Sequence, residues 1–244
     1  DNCYRVGGHM QAEYISHVGA VRENNEDAVY CDVKNGVFVV ADGIGGREAG
    51  EIASATAVRI VAEKTWAEPD GDPADMLREA FYEANNFLYR KGKKPGLDGM
   101  GTTMTAAIVR DDKITIVHIG DSRAYLFNKD GIRQLTQDHS LVAQLVRDGQ
   151  LKPEEARNNP HRNILLKAIG QDSLAEVDMV ETTWKKGDYL LLCSDGLYNL
   201  VEEKEMKDIT LRVAQLRTAV EFLAEAAFNR GGYDNISVII VSHD

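Results

Sequence analysis

Three apolar runs in this chain close on an aspartate beside a glycine: VFVVADG at Asp42, TIVHIGD at Asp121 and LLLCSDG at Asp195. A fourth aspartate, Asp234, opens the run NISVIIV. Segments this rich in Val, Ile and Leu read as buried strands. An unpaired carboxylate inside one would be strongly destabilising, so the four acids are expected at strand mouths. Four mouths with four acids define one anionic pocket. Two carboxylates roughly 5 Å apart repel by about 3 kcal/mol at an effective dielectric of about 20, so such a cluster calls for cations. All candidate ligands are oxygens, and this hard donor set selects Mg2+ or Mn2+ over zinc or copper, with water filling the remaining octahedral positions. In Asp42-Gly43 and Asp195-Gly196 the glycine lets the chain turn sharply and present a backbone carbonyl to an ion.

The 244 residues suffice for one large domain with a sizeable core, and nothing in the chain argues for dividing it. A hydrophobic fraction of 43% and a charged fraction of 27% exclude wholesale disorder. The net charge of −11 carries no electrostatic footprint for nucleic acid or anionic lipid, which leaves proteins or small molecules as partners. Cys3, Cys31 and Cys193 are odd in number and widely spaced, so neither a disulfide scaffold nor a structural zinc site is expected, and a reducing, cytoplasmic setting fits best. No apolar stretch reaches the length of a membrane span. Residues 1–9 (DNCYRVGGH) lack periodicity and read as an appended tail, leaving 10–244 as the domain.

Strand-like runs fall at Tyr14 to Val18, Ala28 to Val33, Val37 to Ala41, Thr103 to Arg110, Lys113 to Ile119, Arg123 to Asn128, Glu176 to Thr183, Asp188 to Cys193 and Ile236 to Ser242. Several adjoin through turns too brief for a crossover helix, so the sheets should be mainly antiparallel. Helical patterns cover Ala49 to Trp66, Pro73 to Arg90, Leu141 to Asp148, Arg162 to Ala168, Glu202 to Ile209 and Ala214 to Arg230. Asp72 ahead of Pro73 reads as a helix cap. Strands in antiparallel succession plus amphipathic helices predict an α+β, four-layer αββα sandwich, two sheets inside and helices outside. The polar segment 140–163, with Gly149, Pro153 and Pro160, reads as a flap.

Between the first two strands, SHVGAVRENNEDAVY brings Arg22, Glu26 and Asp27 together in sequence. An arginine fork suits phosphate oxygens, and neighbouring acids suit the orientation of metal-held water. SHVGAVRENNEDA, VVADGIGGREAGEIAS, GTTMTAAIV, HIGDSRAYLF, LTQDHSLV, LLCSDGLYN and GGYDNISVIIV follow in that order. This succession, from about Tyr14 to Val241, resembles the metal-dependent serine/threonine phosphatases of the protein phosphatase 2C family. The DGIGG form and compact length are most similar to its bacterial branch.

The resemblance implies a β-sandwich flanked by helices with a binuclear Mn2+ or Mg2+ centre at one end. Carried over, Asp42 would bridge two ions, the Gly43 carbonyl would complete the first, and Asp195 and Asp234 would hold the second. Glu26 and Asp27 would act through metal-held waters and Arg22 would clamp the phosphate. Asp121 with Asp195 would match a third, weaker ion site. The implied reaction is in-line attack of a metal-bridging hydroxide on phosphoserine or phosphothreonine in proteins, opposing a serine/threonine kinase. Ile44 stands where eukaryotic members carry a histidine general acid, so the proton donor is left unassigned; His17, His139 and His161 read as ordinary structural or surface histidines.

Other readings fit less well. GIGGREAGE lacks the ending of a phosphate loop, so its glycines serve the turn after Asp42. Asn235-Ile236-Ser237 matches a glycosylation acceptor by chance. A catalytically silent relative that binds phosphoproteins conflicts with the presence of every matched acid and Arg22. A two-metal nuclease needs a basic track that the charge of −11 does not provide.

Overall fold

Strands that end in short polar turns fold back on their neighbours, and the computed structural model shows this throughout the residues it describes, 10–45 and 49–243. Residues 1–9, expected to be an appended tail, and part of GIGGREAGE lie outside them. The strands are β1 (Met10–His17), β2 (Asp27–Asp32), β3 (Val37–Ile44), β4 (Gly101–Thr102), β5 (Met104–Arg110), β6 (Lys113–Ile119), β7 (Arg123–Asn128), β8 (Gly131–Gln134), β9 (Asp178–Thr183), β10 (Tyr189–Cys193) and β11 (Ile236–His243). The helices are α1 (Ala49–Ala67), α2 (Pro73–Lys91), α3 (Leu141–Arg147), α4 (Pro153–Ala156), α5 (Asp195–Tyr198), α6 (Glu203–Arg212) and α7 (Leu216–Asn229).

One sheet runs β1-β11-β10-β7-β8; the other runs β2-β3-β5-β6-β9, with β4 added against β3. Their pairings are antiparallel. Period-two alternation divides each central strand between two cores. In β3, Phe38 and Val40 face the other sheet, where they share a core with Leu190, Leu192, Ile239 and Val241. Val37, Val39 and Ala41 face outward onto α1 and α2, against Ala53, Ala57, Leu77 and Phe81. On the opposite sheet Leu191, Cys193, Val238 and Ile240 pack under α7 through Val220, Leu223 and Ala227. The layers therefore follow the order helix, sheet, sheet, helix, as the pattern predicted.

The structure corrects several local expectations. Arg162 to Ala168 is not helical. Its backbone groups are spent on the flap root, where Leu141 N–H bonds Ile164 O at 2.9 Å, Leu166 N–H bonds His139 O at 2.8 Å, and Leu165 bridges Ser140. The edge strand β8, the two-residue β4 and the four-residue α4 and α5 carry no periodicity long enough to read. Asp42 lies within β3 rather than beyond its mouth, because β3 continues to pair with β4 through Gly43 and Thr102. Asp195 opens α5.

Candidate metal centre

All the sequence-picked acids collect at one end of the sandwich, where β2 and β11 begin and β3, β6 and β10 end. Asp27 heads β2 and stands directly across the ladder from Asp42. Directly opposed side chains on such a ladder have Cβ atoms about 5 Å apart, so two carboxylates there repel. Asp42 is held through its backbone: Thr103 N–H and the Thr102 hydroxyl both donate to its carbonyl at 2.9 Å.

Asp27 is buried, and the Ser194 hydroxyl donates to its Oδ2 at 2.7 Å. Ser194 in turn accepts Ser237 N–H at 3.0 Å, so one hydroxyl joins the two sheets beneath the acids. Asp195 accepts Asn199 Nδ2–H at Oδ2, 3.1 Å. The other oxygens, Asp27 Oδ1 and Asp195 Oδ1, are buried without a hydrogen-bond partner. Asp234 accepts the Arg22 guanidinium at 2.9 Å, and half of the Arg22 side chain remains exposed. Glu26 is anchored by its backbone: its N–H donates to Asn235 Oδ1 at 2.8 Å and its carbonyl accepts Gly43 N–H at 3.0 Å.

Proton affinities report the crowding. Burial, with Asp195 and Asp234 nearby and opposed by the bond from Ser194, pushes Asp27 up to about 7. Burial and the Asp234 charge push Asp195 up to about 6, opposed by Arg22, Arg162 and Arg123. Asp42 is raised well above the ordinary carboxylate range by burial and by Asp27, Asp195, Asp121 and Asp234. Asp121 is raised likewise by burial and by Asp195 and Asp138. Glu26 shifts upward too, chiefly through burial.

These residues fit hard divalent ions. The donors are oxygens, two buried carboxylate oxygens lack any partner, and the mutual repulsion asks for positive charge. Among the described residues no three carboxylate, imidazole or thiol side chains close a cage by themselves.

Gly43 and Gly196 are required by packing, not by a turn. Neither has the positive φ of a left-handed residue. A Cβ on Gly43 would lie 2.7 Å from Glu26 O and collide with Gly50 O, and one on Gly196 would collide with Asn235 O. Sequence reading also missed Asn235, whose Nδ2 donates to Val18 O and Asn24 O at 2.9 Å while its Oδ1 holds Glu26. It fixes the loop carrying Arg22. Its position directly after Asp234 is the available signal.

A cavity of about 530 Å3 adjoins the acids beneath α3 and α4 and is lined by Asp121, Asp195, Arg123, Asp138, Arg157 and Arg162. Arg123 forks onto Asp138 at 2.9 and 2.6 Å and stacks 3.6 Å over Tyr198. His139, expected to be structural, is buried; its Nδ1 accepts Gly120 N–H at 3.1 Å and its Nε2 meets Asp178. Burial holds the Cys193 thiol above its ordinary range, in keeping with a core residue.

Residues 16–227 match the family model of protein phosphatase 2C. The chain belongs to this family. A serine/threonine phosphatase, stp, of Listeria monocytogenes is 40% identical over 96% of both chains. Protein phosphatase PhpP of Streptococcus pneumoniae is 38% identical over 96% of this chain and 97% of its own. Among solved structures, the phosphatase Stp1 of Staphylococcus aureus superposes with a TM-score of 0.91 at 32% identity, covering 100% of this chain and 99% of that one. The catalytic domain of the phosphatase PstP in complex with two manganese ions gives 0.88 at 33%, covering 96% and 98%. Protein phosphatase 2C structures share the sandwich described above, and the relatives named here are bacterial.

Proposed function

We propose that Asp42, Asp195 and Asp234, with the Gly43 carbonyl, hold two divalent ions against which this protein serine/threonine phosphatase hydrolyses phosphoserine and phosphothreonine. The observation that carries the reading is the buried, uncompensated acid cluster with two orphaned carboxylate oxygens beside a half-exposed arginine. When bound, the ions lower the pKa of a water and draw charge from the phosphoryl group, so no covalent phosphoenzyme is needed. Arg22 offers N–H groups not spent on Asp234 to the phosphate oxygens, and Asp234 fixes its direction. Asp27, tethered by Ser194, keeps Oδ1 free to orient water, and Glu26 does the same from the loop that Asn235 holds. Asp121 with Asp195 forms a weaker third site facing the cavity.

The reaction is metal dependent, and Mn2+ or Mg2+ both satisfy the oxygen donors. The substrates are phosphorylated proteins, and the physiological opponent is a serine/threonine kinase in the cytoplasm. No helix of the described residues is long and apolar enough to cross a membrane. The test is hydrolysis of p-nitrophenyl phosphate and a phosphothreonine peptide with Mn2+. Activity should vanish with EDTA and in Asp195→Asn; full turnover in either case would reject the assignment.

A further inference from the structure

Two loops run side by side at the edge of the acid cluster. Ala20 N–H donates to Gly232 O at 2.8 Å, and Arg22 bonds Asp234 at 2.9 Å. Between these two ties stand Val21 in one loop and Tyr233 in the other, each 62% exposed. Glycines build the arrangement. A Cβ on Gly19 would lie 2.7 Å from Gly232 O and collide with Asp234 O, so only glycine lets the loops approach this closely. A Cβ on Gly231 would lie 2.6 Å from Cε2 of Tyr233 and 2.7 Å from its hydroxyl oxygen, so the ring lies across the bare backbone there. The ring is seated, yet most of it faces solvent. Neither Val21 nor Tyr233 lines the 530 Å3 cavity.

Single exposed apolar residues are common on any protein and need no explanation. This pair differs because both loops are pinned on either side of it, next to the arginine assigned to the phosphate. We infer that Val21 and Tyr233 form an apolar lip that receives a large aliphatic or aromatic side chain beside the phosphorylated residue of a protein substrate. The inference rests on the phosphatase reading, which sets the phosphate on Arg22. Successive Cα atoms are about 3.8 Å apart in any chain. A residue flanking the phosphoresidue is therefore one Cα step from it, as Val21 is from Arg22 and Tyr233 is from Asp234. Continuity with the phosphate site is what selects a substrate segment as the occupant. An apolar contact of this kind discriminates by about 10-fold, the lower end for hydrophobic subsites.

The experiment compares phosphothreonine peptides with Leu or with Asn on one or both flanks, alongside p-nitrophenyl phosphate, all with Mn2+. The wild-type enzyme should favour a Leu-flanked peptide by about 10-fold in kcat/KM, expressed in KM. Val21→Ser and Tyr233→Ser should lose that preference, Tyr233→Leu should keep it, and p-nitrophenyl phosphate kinetics should be unchanged in all three. Equal kcat/KM for Leu and Asn peptides in the wild type, or an undiminished preference in the double Ser variant, would overturn the lip. Failure of the wild type to hydrolyse p-nitrophenyl phosphate would instead overturn the phosphatase reading itself.

Discussion

Without bound ions the acid cluster should destabilise the fold as pH rises, and Asp27 allows the effect to be sized. Its carboxyl titrates near 7 in the folded protein against about 3.9 in an unfolded chain. Below pH ~4 both states hold the proton and there is no loss. Between about pH 4 and 7 the folded state keeps a proton that the unfolded state has released, so stability falls with pH, and the loss is complete above 7. The full span corresponds to about 4 kcal/mol, of which about 3 kcal/mol falls between pH 5 and 8. For a domain of this size that lowers Tm by roughly 6 to 12 °C.

His118 acts in the opposite sense. Burial and the neighbouring His139 lower it to about 4, so its contribution is present above the unfolded value near 6.5 and is lost as pH falls towards 4. Subtracting the melting curve of Asp27→Asn from that of the wild type, both in EDTA, removes the His118 contribution. The difference should grow by about 3 kcal/mol from pH 5 to 8, with the wild type losing more. In excess Mn2+ the difference should flatten, and Mn2+ binding at pH 6.5 should release protons, measurable by calorimetry in buffers of different ionisation enthalpy. A wild type that melts no lower at pH 8 than Asp27→Asn does, relative to pH 5, would refute the reasoning.

Asp195→Asn should reduce kcat by about 100-fold or more while raising the Tm of the EDTA-treated protein, because one member of a repulsive set becomes neutral; a fall in that Tm would count against the electrostatic account. Gly43→Ala should destabilise by about 1 to 3 kcal/mol in urea unfolding, since the new methyl meets the Gly50 and Glu26 carbonyls. Arg123→Met strands Asp138 beneath the flap and should cost about 3 to 5 kcal/mol by the same measurement, with Arg123→Met/Asp138→Leu recovering much of the loss.

What could be read from the chain beforehand follows the range of the interaction involved. Lys113–Ile119 and Arg123–Asn128 fall on their expected bounds because each is an apolar run cut off by its own turn residues. Asp72 caps α2 as expected, accepting Ala74 N–H and Asp75 N–H, since cap and helix are neighbours in sequence. Arg162 to Ala168 has helical spacing, but its bonds to His139 and Leu141 could only be known once the flap root was in place. The same limit hid Ser194 and Asn235. Ser194 reaches Asp27 across 167 positions and Asn235 reaches Glu26 across 209, so no local pattern marks either. The acids were legible because a carboxylate at the edge of a hydrophobic run conflicts with its surroundings wherever its partners lie.

That conflict ties folding to the chemistry. The three cores around the sheets are filled by apolar side chains that are almost wholly buried. The ladder that sets Asp27 against Asp42, and the Ser194 link between sheets, keep the acids from moving apart to relieve their repulsion. A flexible loop holding the same acids would spread, and an ion would have to gather them at the expense of chain entropy. On this frame the repulsion is already present, so ion binding releases it and stabilises the fold by the same linkage. Removing the hydroxyl that ties Asp27 to β11, as Ser194→Ala would, should therefore weaken Mn2+ binding as well as lower Tm, and an unchanged Mn2+ affinity would count against the frame.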